Sequence, residues 1–312
     1  MKIITNYEAC PLDARGAAIA LGNFDGVHRG HQEIIRITKE ISRNNSIPSA
    51  VMTFEPHPAS IFKPNLPPNR ITPFPAKSKK ISELGIDIIF AFKFDEAFSK
   101  ITAQKFVDNI LINKLAAKSI VIGYDFIFGH NREGNAKFLE QKSSSSGFSL
   151  TIVEPVKQNE KNGEIYSSTK IRQFLQNGEI EKANNFLGYN YFIYGKVEHG
   201  EKRGREIGYP TANIYLTDHL RPKFGVYQVR VKIDKSDKWL PAIASIGCKP
   251  TYDDNREVLE VFIFDFNDDI YNKEIQVEFL KFIREEIRFS DTPSLMNQIK
   301  TDCEMVFTLF NK

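Results

Sequence analysis

Residues 22–31 read Gly-Asn-Phe-Asp-Gly-Val-His-Arg-Gly-His, and their flanks decide the fold of the first half of the chain. Ala17-Ala18-Ile19-Ala20-Leu21 precedes them, an apolar run that predicts a buried strand. Ile34, Ile35, Ile37 and Ile41 follow at helical spacing. The segment is therefore a glycine-punctuated strand-to-helix turn that carries His28 and His31. Such a turn aims backbone N–H groups and the positive end of a helix dipole at an anion, typically phosphate. Its glycines, Gly22 and Gly26 among them, let the backbone approach a ligand closely. The imidazoles add donors for phosphate oxygens. Two solvated loop histidines are the plain alternative. The spacing His-x-Gly-His between a strand and a helix favours the phosphate site.

Working outward, strand-like apolar runs recur at 50–54, 86–92, 119–124 and 149–153, with amphipathic stretches such as 76–84 and 103–115 between them. Short apolar strands alternating with helices predict a doubly wound parallel sheet. In such sheets ligands bind beyond the carboxyl ends of the strands. The polar tails at 22–31, 55–58 and 125–135 are all expected there. The run 142–147 holds four serines and reads as a flexible surface loop. Residues 167–187 read as two short helices broken at Asn177-Gly178. From Tyr189 the period changes. Strands are expected at 191–197, 225–233, 239–246, 258–266 and 274–282, without helices between them, so an antiparallel barrel or sandwich follows. Residues 294–309 have helical spacing. The boundary is placed at 186/187, giving domains 1–186 and 187–312.

Composition sets limits. The chain has 312 residues, 41% hydrophobic and 12% aromatic, with 25 Phe, enough for two sizeable cores. Forty-two basic and 39 acidic residues leave +3, too little to demand a nucleic-acid or membrane partner. Cys10, Cys248 and Cys303 form no zinc spacing and no disulfide framework. No apolar run of about 18 residues is present, and no export signal, so a cytoplasmic protein is expected. The segment 167–172, Ser-Ser-Thr-Lys-Ile-Arg, opens a helix. Its hydroxyls serve as N-caps in the plain reading, and Arg172 has a fork that suits phosphate. Glu260 stands among apolar residues of a strand, Leu259-Glu260-Val261, and the plain reading is an outward charge. There is no GxxxxGK[ST] run and no protein-kinase HRD or DFG motif.

The string 22–31 resembles the first motif of the prokaryotic bifunctional riboflavin kinase/FAD synthetases, and 167–172 resembles the second. Thr53-Phe54-Glu55-Pro56-His57-Pro58, Arg70-Ile71-Thr72-Pro73 and 123–135 match further segments of the same half. Gly204 to Asn213, with Gly208-Tyr209-Pro210-Thr211-Ala212-Asn213, resembles the riboflavin kinase signature. Phe224-Gly225-Val226-Tyr227, 245–251, 259–266 and Arg284-Glu285-Glu286-Ile287-Arg288-Phe289 follow in the family's order, so the likeness covers 17 to about 303. It implies a Rossmann-like FMN adenylyltransferase domain followed by a β-barrel riboflavin kinase domain with a C-terminal helix. It implies ATP-dependent phosphorylation of riboflavin to FMN, then adenylylation of FMN to FAD with release of pyrophosphate.

The resemblance also implies roles. His28 and His31 would serve adenylyl transfer, and Gly22, Phe24, Gly26, Ser168, Thr169 and Arg172 would join them on ATP. Pro56, Pro58, Asp125 and Phe128 would meet the flavin there. In the kinase half Gly208, Pro210 and Thr211 would bind nucleotide, Thr211 and Asn213 would hold Mg²⁺, and Tyr227, Arg284 and Phe289 would border the flavin. Glu260 would be the general base for the riboflavin 5′-hydroxyl. The implied partners are riboflavin, FMN, FAD and ATP or ADP, with no nucleic acid and no membrane; the oligomeric state stays open. Tyr166, Ile127, His130 and Lys249 depart from the family pattern. Two other readings remain at this stage: a live kinase with a degenerate adenylyltransferase, and a non-enzymatic nucleic-acid-binding barrel.

Overall fold

The computed structural model describes residues 1–62, 67–159, 163–200, 204, 207–234, 236–248 and 257–311. The chain forms two compact units, Met1–Pro67 with Phe74–Ser167 and Pro68–Pro73 with Ser168–Lys312. Arg205, Glu206 and Lys249 lie outside the described residues.

In the first unit the elements run β1 (Lys2–Ile4), β2 (Ala18–Leu21), α1 (Arg29–Asn45), β3 (Ser49–Glu55), α2 (Pro58–Phe62), α3 (Phe74–Glu83), β4 (Ile88–Lys93) and α4 (Glu96–Ser99). Then come α5 (Ala103–Lys105), which continues as π-helical Phe106–Lys114, β5 (Ser119–Gly123), the hairpin β6 (Ile127–Phe128) and β7 (Gly134–Asn135), α6 (Ala136–Ser146) and β8 (Ser149–Val153). The sheet order is β1-β4-β3-β2-β5-β8, and every pair is parallel. Strand alternation feeds two cores. Ile19, Leu21, Met52, Phe90 and Ile122 pack against Phe106, Val107, Ile110 and Leu111 on one face. Ala20, Val51, Ile89 and Val121 pack against Ile34, Ile35 and Ile81 on the other. Each fully buried Ile, Val or Phe contributes about 1.5–3 kcal/mol. The sheet is thus the expected doubly wound one. The chain leaves β2 for β3 on one side and returns to β5 on the other, so the strand order reverses at β2. The tails after β2, β3 and β5 therefore gather at the carboxyl ends of three adjacent strands, where such folds bind ligands.

One expectation changes, and one element goes unforeseen. Residues 142–146 are not a loop but the last turns of α6, which ends at Gly147 with φ 75°. The hydroxyls of Ser143 and Ser144 donate back to the Glu140 carbonyl, which lets serines continue the helix. The short edge strand β1 has too few residues for a period and escapes sequence reading.

In the second unit α7 (Ser168–Gln176) and α8 (Ile180–Leu187) form the expected broken pair. β9 (Phe192–Lys196), β10 (Ala212–Tyr215), β11 (Gly225–Ile233), β12 (Leu240–Cys248), β13 (Glu257–Ile263), β14 (Glu274–Arg284) and α9 (Thr292–Phe310) follow. The antiparallel order is β10-β13-β12-β11-β14-β9. A bridge between Glu198 and Asn213 joins the β9 end back to β10 and closes the barrel. β10 was not expected as a strand, because its motif reads as a turn. Val229, Val231, Ala242, Ile246, Leu259, Val261, Val277 and Phe279 are all fully buried. Val226 and Ile243 belong instead to a cluster with Phe262 and Phe264 under Val306 of α9. Helices α7 and α8 bury Ile171, Leu175, Ile180, Phe186 and Leu187. Asn184 of α8 donates to the Phe279 carbonyl at 2.9 Å and accepts from the Tyr191 amide at 2.7 Å.

Candidate active sites

The turn after β2 is tightly built. Phe24, Gly26 and Val27 all have positive φ, at 49°, 83° and 37°. A β-branched residue there is strained, and such strain persists where surroundings over-determine it. Phe24 and Val27 are fully buried, and Gln32 donates to the Val27 carbonyl at 2.8 Å. His28 is the N-cap of α1, and its Nδ1 accepts from the His31 amide at 3.4 Å. With Nδ1 accepting, a neutral ring carries its proton on Nε2, which makes that nitrogen the donor. The His31 ring stacks on His28 with centroids 3.6 Å apart and meets Phe24 edge-on at 5.2 Å. Gly30 permits this, since a Cβ there would lie 3.2 Å from the His28 ring. Gly22 likewise leaves room for Phe24. So Gly22, Phe24, Gly26, His28 and His31 form one rigid turn.

Thr53, at the end of β3, donates to the Asn23 carbonyl at 3.1 Å and ties that turn to the next strand. Lys77 of α3 reaches both Thr53 Oγ1 at 3.2 Å and Glu55 Oε1 at 3.0 Å, with its side chain only 2% exposed. Sequence reading missed this lysine as a site residue. The available signal was its position one turn before Ile81 on the buried face of α3. Pro56 is exposed, and Pro58 opens α2. Past β5, Asp125 is exposed. Phe128 is not: it packs on Phe106, Phe126 and Phe138 and against Gly134. Its hairpin neighbour Ile127 and nearby Tyr124 are the exposed apolar groups. His130 pairs its Nδ1 with the Ser99 carbonyl at 3.1 Å. Ser168 and Thr169 begin α7 in the second unit, where Arg172 Nε donates to the Asn69 carbonyl at 2.9 Å.

The second unit holds a cavity of about 540 Å³. Barrel register explains its floor. Asn213 pairs with Glu260, Glu260 with Ser245, Ser245 with Val226, and Val226 with Arg284. Directly paired residues share a face, and all five line the cavity. Irregular pairing between Val226 and Tyr227 re-aims Arg284 into the row. Glu260 therefore does face away from the barrel core, as its alternation with Leu259 and Val261 requires, but into a cavity roofed by Leu295, Ile299 and Cys303 of α9. Pro210, Thr211 and Phe289 also line it; Gly208 does not. Tyr227 points the other way. It is fully buried between Phe279 and Phe282 and donates its hydroxyl to the Lys223 carbonyl. Burial pushes its phenol above the usual range.

Two further residues emerge only here. Asp302 of α9, 3% exposed, takes Arg284 Nε at 3.0 Å on each oxygen and Nη2 at 2.6 Å. The guanidinium is committed to this latch and to the Glu285 carbonyl. Glu286 sits against Gly247, where a Cβ would collide with its carboxylate. Partial burial pushes the Glu286 carboxyl up, Arg284 pulls it down and Glu260 pushes it up again.

Known proteins resemble this chain along its length. A family model described as FAD synthetase matches residues 10–170, and one described as riboflavin kinase matches 187–310. The bifunctional riboflavin kinase/FMN adenylyltransferase of Buchnera aphidicola subsp. Schizaphis graminum is 39% identical over 100% of this chain and 99% of its own length. The chain belongs to the bifunctional riboflavin kinase/FMN adenylyltransferase family. The family's Escherichia coli (strain K12) member is 38% identical, covering 97% of this chain and 96% of its own. A crystal structure titled macrolide-efflux protein from Streptococcus pneumoniae has a TM-score of 0.83 at 34% identity, covering 97% of both chains. That likeness carries the two-domain fold. Among the described residues no helix is long and apolar enough to cross a membrane.

Proposed function

We propose that this chain makes FAD from riboflavin in two ATP-dependent steps, riboflavin + ATP → FMN + ADP and then FMN + ATP → FAD + pyrophosphate. The observation that carries this reading is the succession of FAD synthetase and riboflavin kinase matches along one chain.

For adenylyl transfer, an oxygen of the FMN phosphate attacks the α-phosphorus of ATP in line and pyrophosphate leaves. The nucleophile belongs to the substrate, so the protein positions reactants and stabilises charge on phosphate oxygens. The strained turn presents the N-terminus of α1, and His28 offers its Nε2 proton with His31 stacked behind it. Ser168, Thr169 and Arg172 supply hydroxyls and a guanidinium for ATP. Pro56, Pro58, Asp125 and the Phe128 hairpin border the flavin.

For the kinase step, Glu260 takes the 5′-hydroxyl proton of riboflavin, and the oxygen attacks the γ-phosphorus. Gly208, Pro210 and Thr211 border the nucleotide, with Arg284 and Phe289 on the flavin side; Tyr227 backs them from the core. Thr211 and Asn213 would hold a Mg²⁺ ion, which when bound would supply positive charge for the phosphates. The residues fit it: Asn213 donates its amide nitrogen to the Thr211 carbonyl at 3.1 Å, which fixes which end of the amide carries the oxygen. Thr211 and Asn213 offer the hard neutral oxygens that Mg²⁺ prefers. The adenylyl-transfer half is taken as 1–186 and the kinase half as 187–312. A cytoplasmic enzyme whose partners are small molecules, not nucleic acid or membranes, suits both reactions.

The test is incubation with riboflavin, ATP and Mg²⁺, then chromatography of riboflavin, FMN and FAD. FMN followed by FAD is expected. Absence of FMN refutes the kinase. Absence of FAD from supplied FMN leaves a single live half.

A further inference from the structure

Lys77 of α3 is a buried lysine to which the adenylyl-transfer step above gives no role. Its ammonium donates to Thr53 Oγ1 at 3.2 Å and to Glu55 Oε1 at 3.0 Å. Thr53 and Glu55 stand two apart on β3 and so share a face. One ammonium, with three protons to give, can therefore serve both. Thr53 itself is fully buried. A buried ion pair is a weak source of stability, because desolvation offsets the attraction. What this one supplies is direction.

The Thr53 hydroxyl has one proton. The ammonium can only donate, so it takes a lone pair of Oγ1 and leaves that proton for the Asn23 carbonyl, 3.1 Å away. Donation from a cation polarises the hydroxyl and strengthens its own bond onward. In a trans peptide the carbonyl and the next N–H point opposite ways. The pin on the Asn23 carbonyl thus also sets the direction of the Phe24 amide. Phe24 is the first of three positive-φ residues in the turn, before Gly26 and Val27. Such a conformation holds only where its surroundings fix it. The Gly22 N–H, which donates to the Met52 carbonyl at 3.2 Å, is a second tie between the start of the turn and β3.

We propose that Lys77 is a positioning residue for adenylyl transfer, acting through the Thr53 hydroxyl on the Asn23 carbonyl to hold the turn that carries His28 and His31 in its working shape. Lys77, Thr53 and Asn23 form a relay from α3 through β3 to the backbone of the turn. The inference rests on the reading of that turn as the adenylyl-transfer site.

The test measures pyrophosphate release from FMN and ATP by the full-length enzyme. Pyrophosphate reports adenylyl transfer alone, because the kinase step releases ADP. Thr53→Val keeps the shape and removes the hydroxyl, and Lys77→Met keeps the length and removes the donor. Each should lower kcat by about tenfold or more, within the 10²-fold that a displacement of about 1 Å can cost. In Thr53→Val the FMN KM should stay within about twofold, and Thr53→Ser, which restores the hydroxyl, should recover most of the loss. Both single changes break one relay, so the double variant should be no slower than the slower single. Circular dichroism and ADP release from riboflavin check that each variant is folded. An unchanged kcat in Thr53→Val, an equal loss in Thr53→Ser, or losses that multiply in the double variant would overturn the proposal. If Lys77→Met does not fold, the two Thr53 variants decide without it. Full adenylyl transfer by His28→Ala would instead refute the reading of the turn, whatever the Thr53 variants do.

Discussion

Asp302→Asn should loosen the C-terminal helix from the barrel and weaken riboflavin use without touching FAD formation from supplied FMN. The structure sets the magnitude. Asp302 is 4% exposed at its side chain and Arg284 21%. Breaking a fully buried ion pair by neutralising one partner costs about 3–5 kcal/mol. Partial solvation of Arg284 lowers that to about 2–3 kcal/mol, since water recovers part of the stranded charge. Gln298, which donates to Asp302 at 2.9 Å, loses its charged acceptor as well. For a unit of this size the melting temperature should fall by about 5–10 °C. Leu295, Ile299, Asp302 and Cys303 roof the cavity, so the riboflavin KM should rise several-fold while kcat falls less. The assay pairs thermal unfolding by circular dichroism with separate rates for both steps. An unchanged melting temperature and unchanged riboflavin KM would refute the latch.

Glu260→Gln should cost roughly 10²-fold or more in FMN formation, the scale of general-base loss, and leave FAD formation intact; His28→Ala should do the reverse, and equal loss of both steps in either folded variant would sink the two-site assignment. His219 is 6% exposed, neither ring nitrogen has a hydrogen-bond partner, and burial with Arg221 nearby holds its pKa down to about 4. The unfolded chain, with a histidine near 6.5, binds that proton first, so stability falls as pH drops from 6.5 toward 4, by about 2 kcal/mol at pH 5. Urea unfolding at pH 7.5 and 5 should show this loss, and His219→Leu should lack it. A fragment beginning at Ser168 should fold and phosphorylate riboflavin, whereas one beginning at Leu187 should melt lower or aggregate, because it strips Leu175, Ile180 and Phe186 from their buried positions; equal melting of the two fragments would contradict the packing argument.

Much of the fold lies in local pattern. The apolar run 17–21, the glycines and the isoleucines at 34, 35, 37 and 41 specify strand, turn and helix, because side chains two or four apart share a face whatever lies across from them. The change of period near Tyr189 likewise marks the passage from parallel sheet to barrel. The residues of the phosphate turn and the glutamate at 260 could be named from such strings. Which neighbours they meet could not. The row Asn213, Glu260, Ser245, Val226 and Arg284 exists because five strands pair in one register, shifted by irregular pairing at β14. A slip of one residue turns a side chain to the opposite face. That is why Tyr227 and Phe128 end in the core while Val226 turns to the cluster under α9 and Ile127 faces solvent, why Arg284 is tied to Asp302 eighteen residues later, and why Glu286 comes to rest on Gly247. Spacing along the chain determines what each segment becomes; packing between segments far apart in sequence decides which groups stand together.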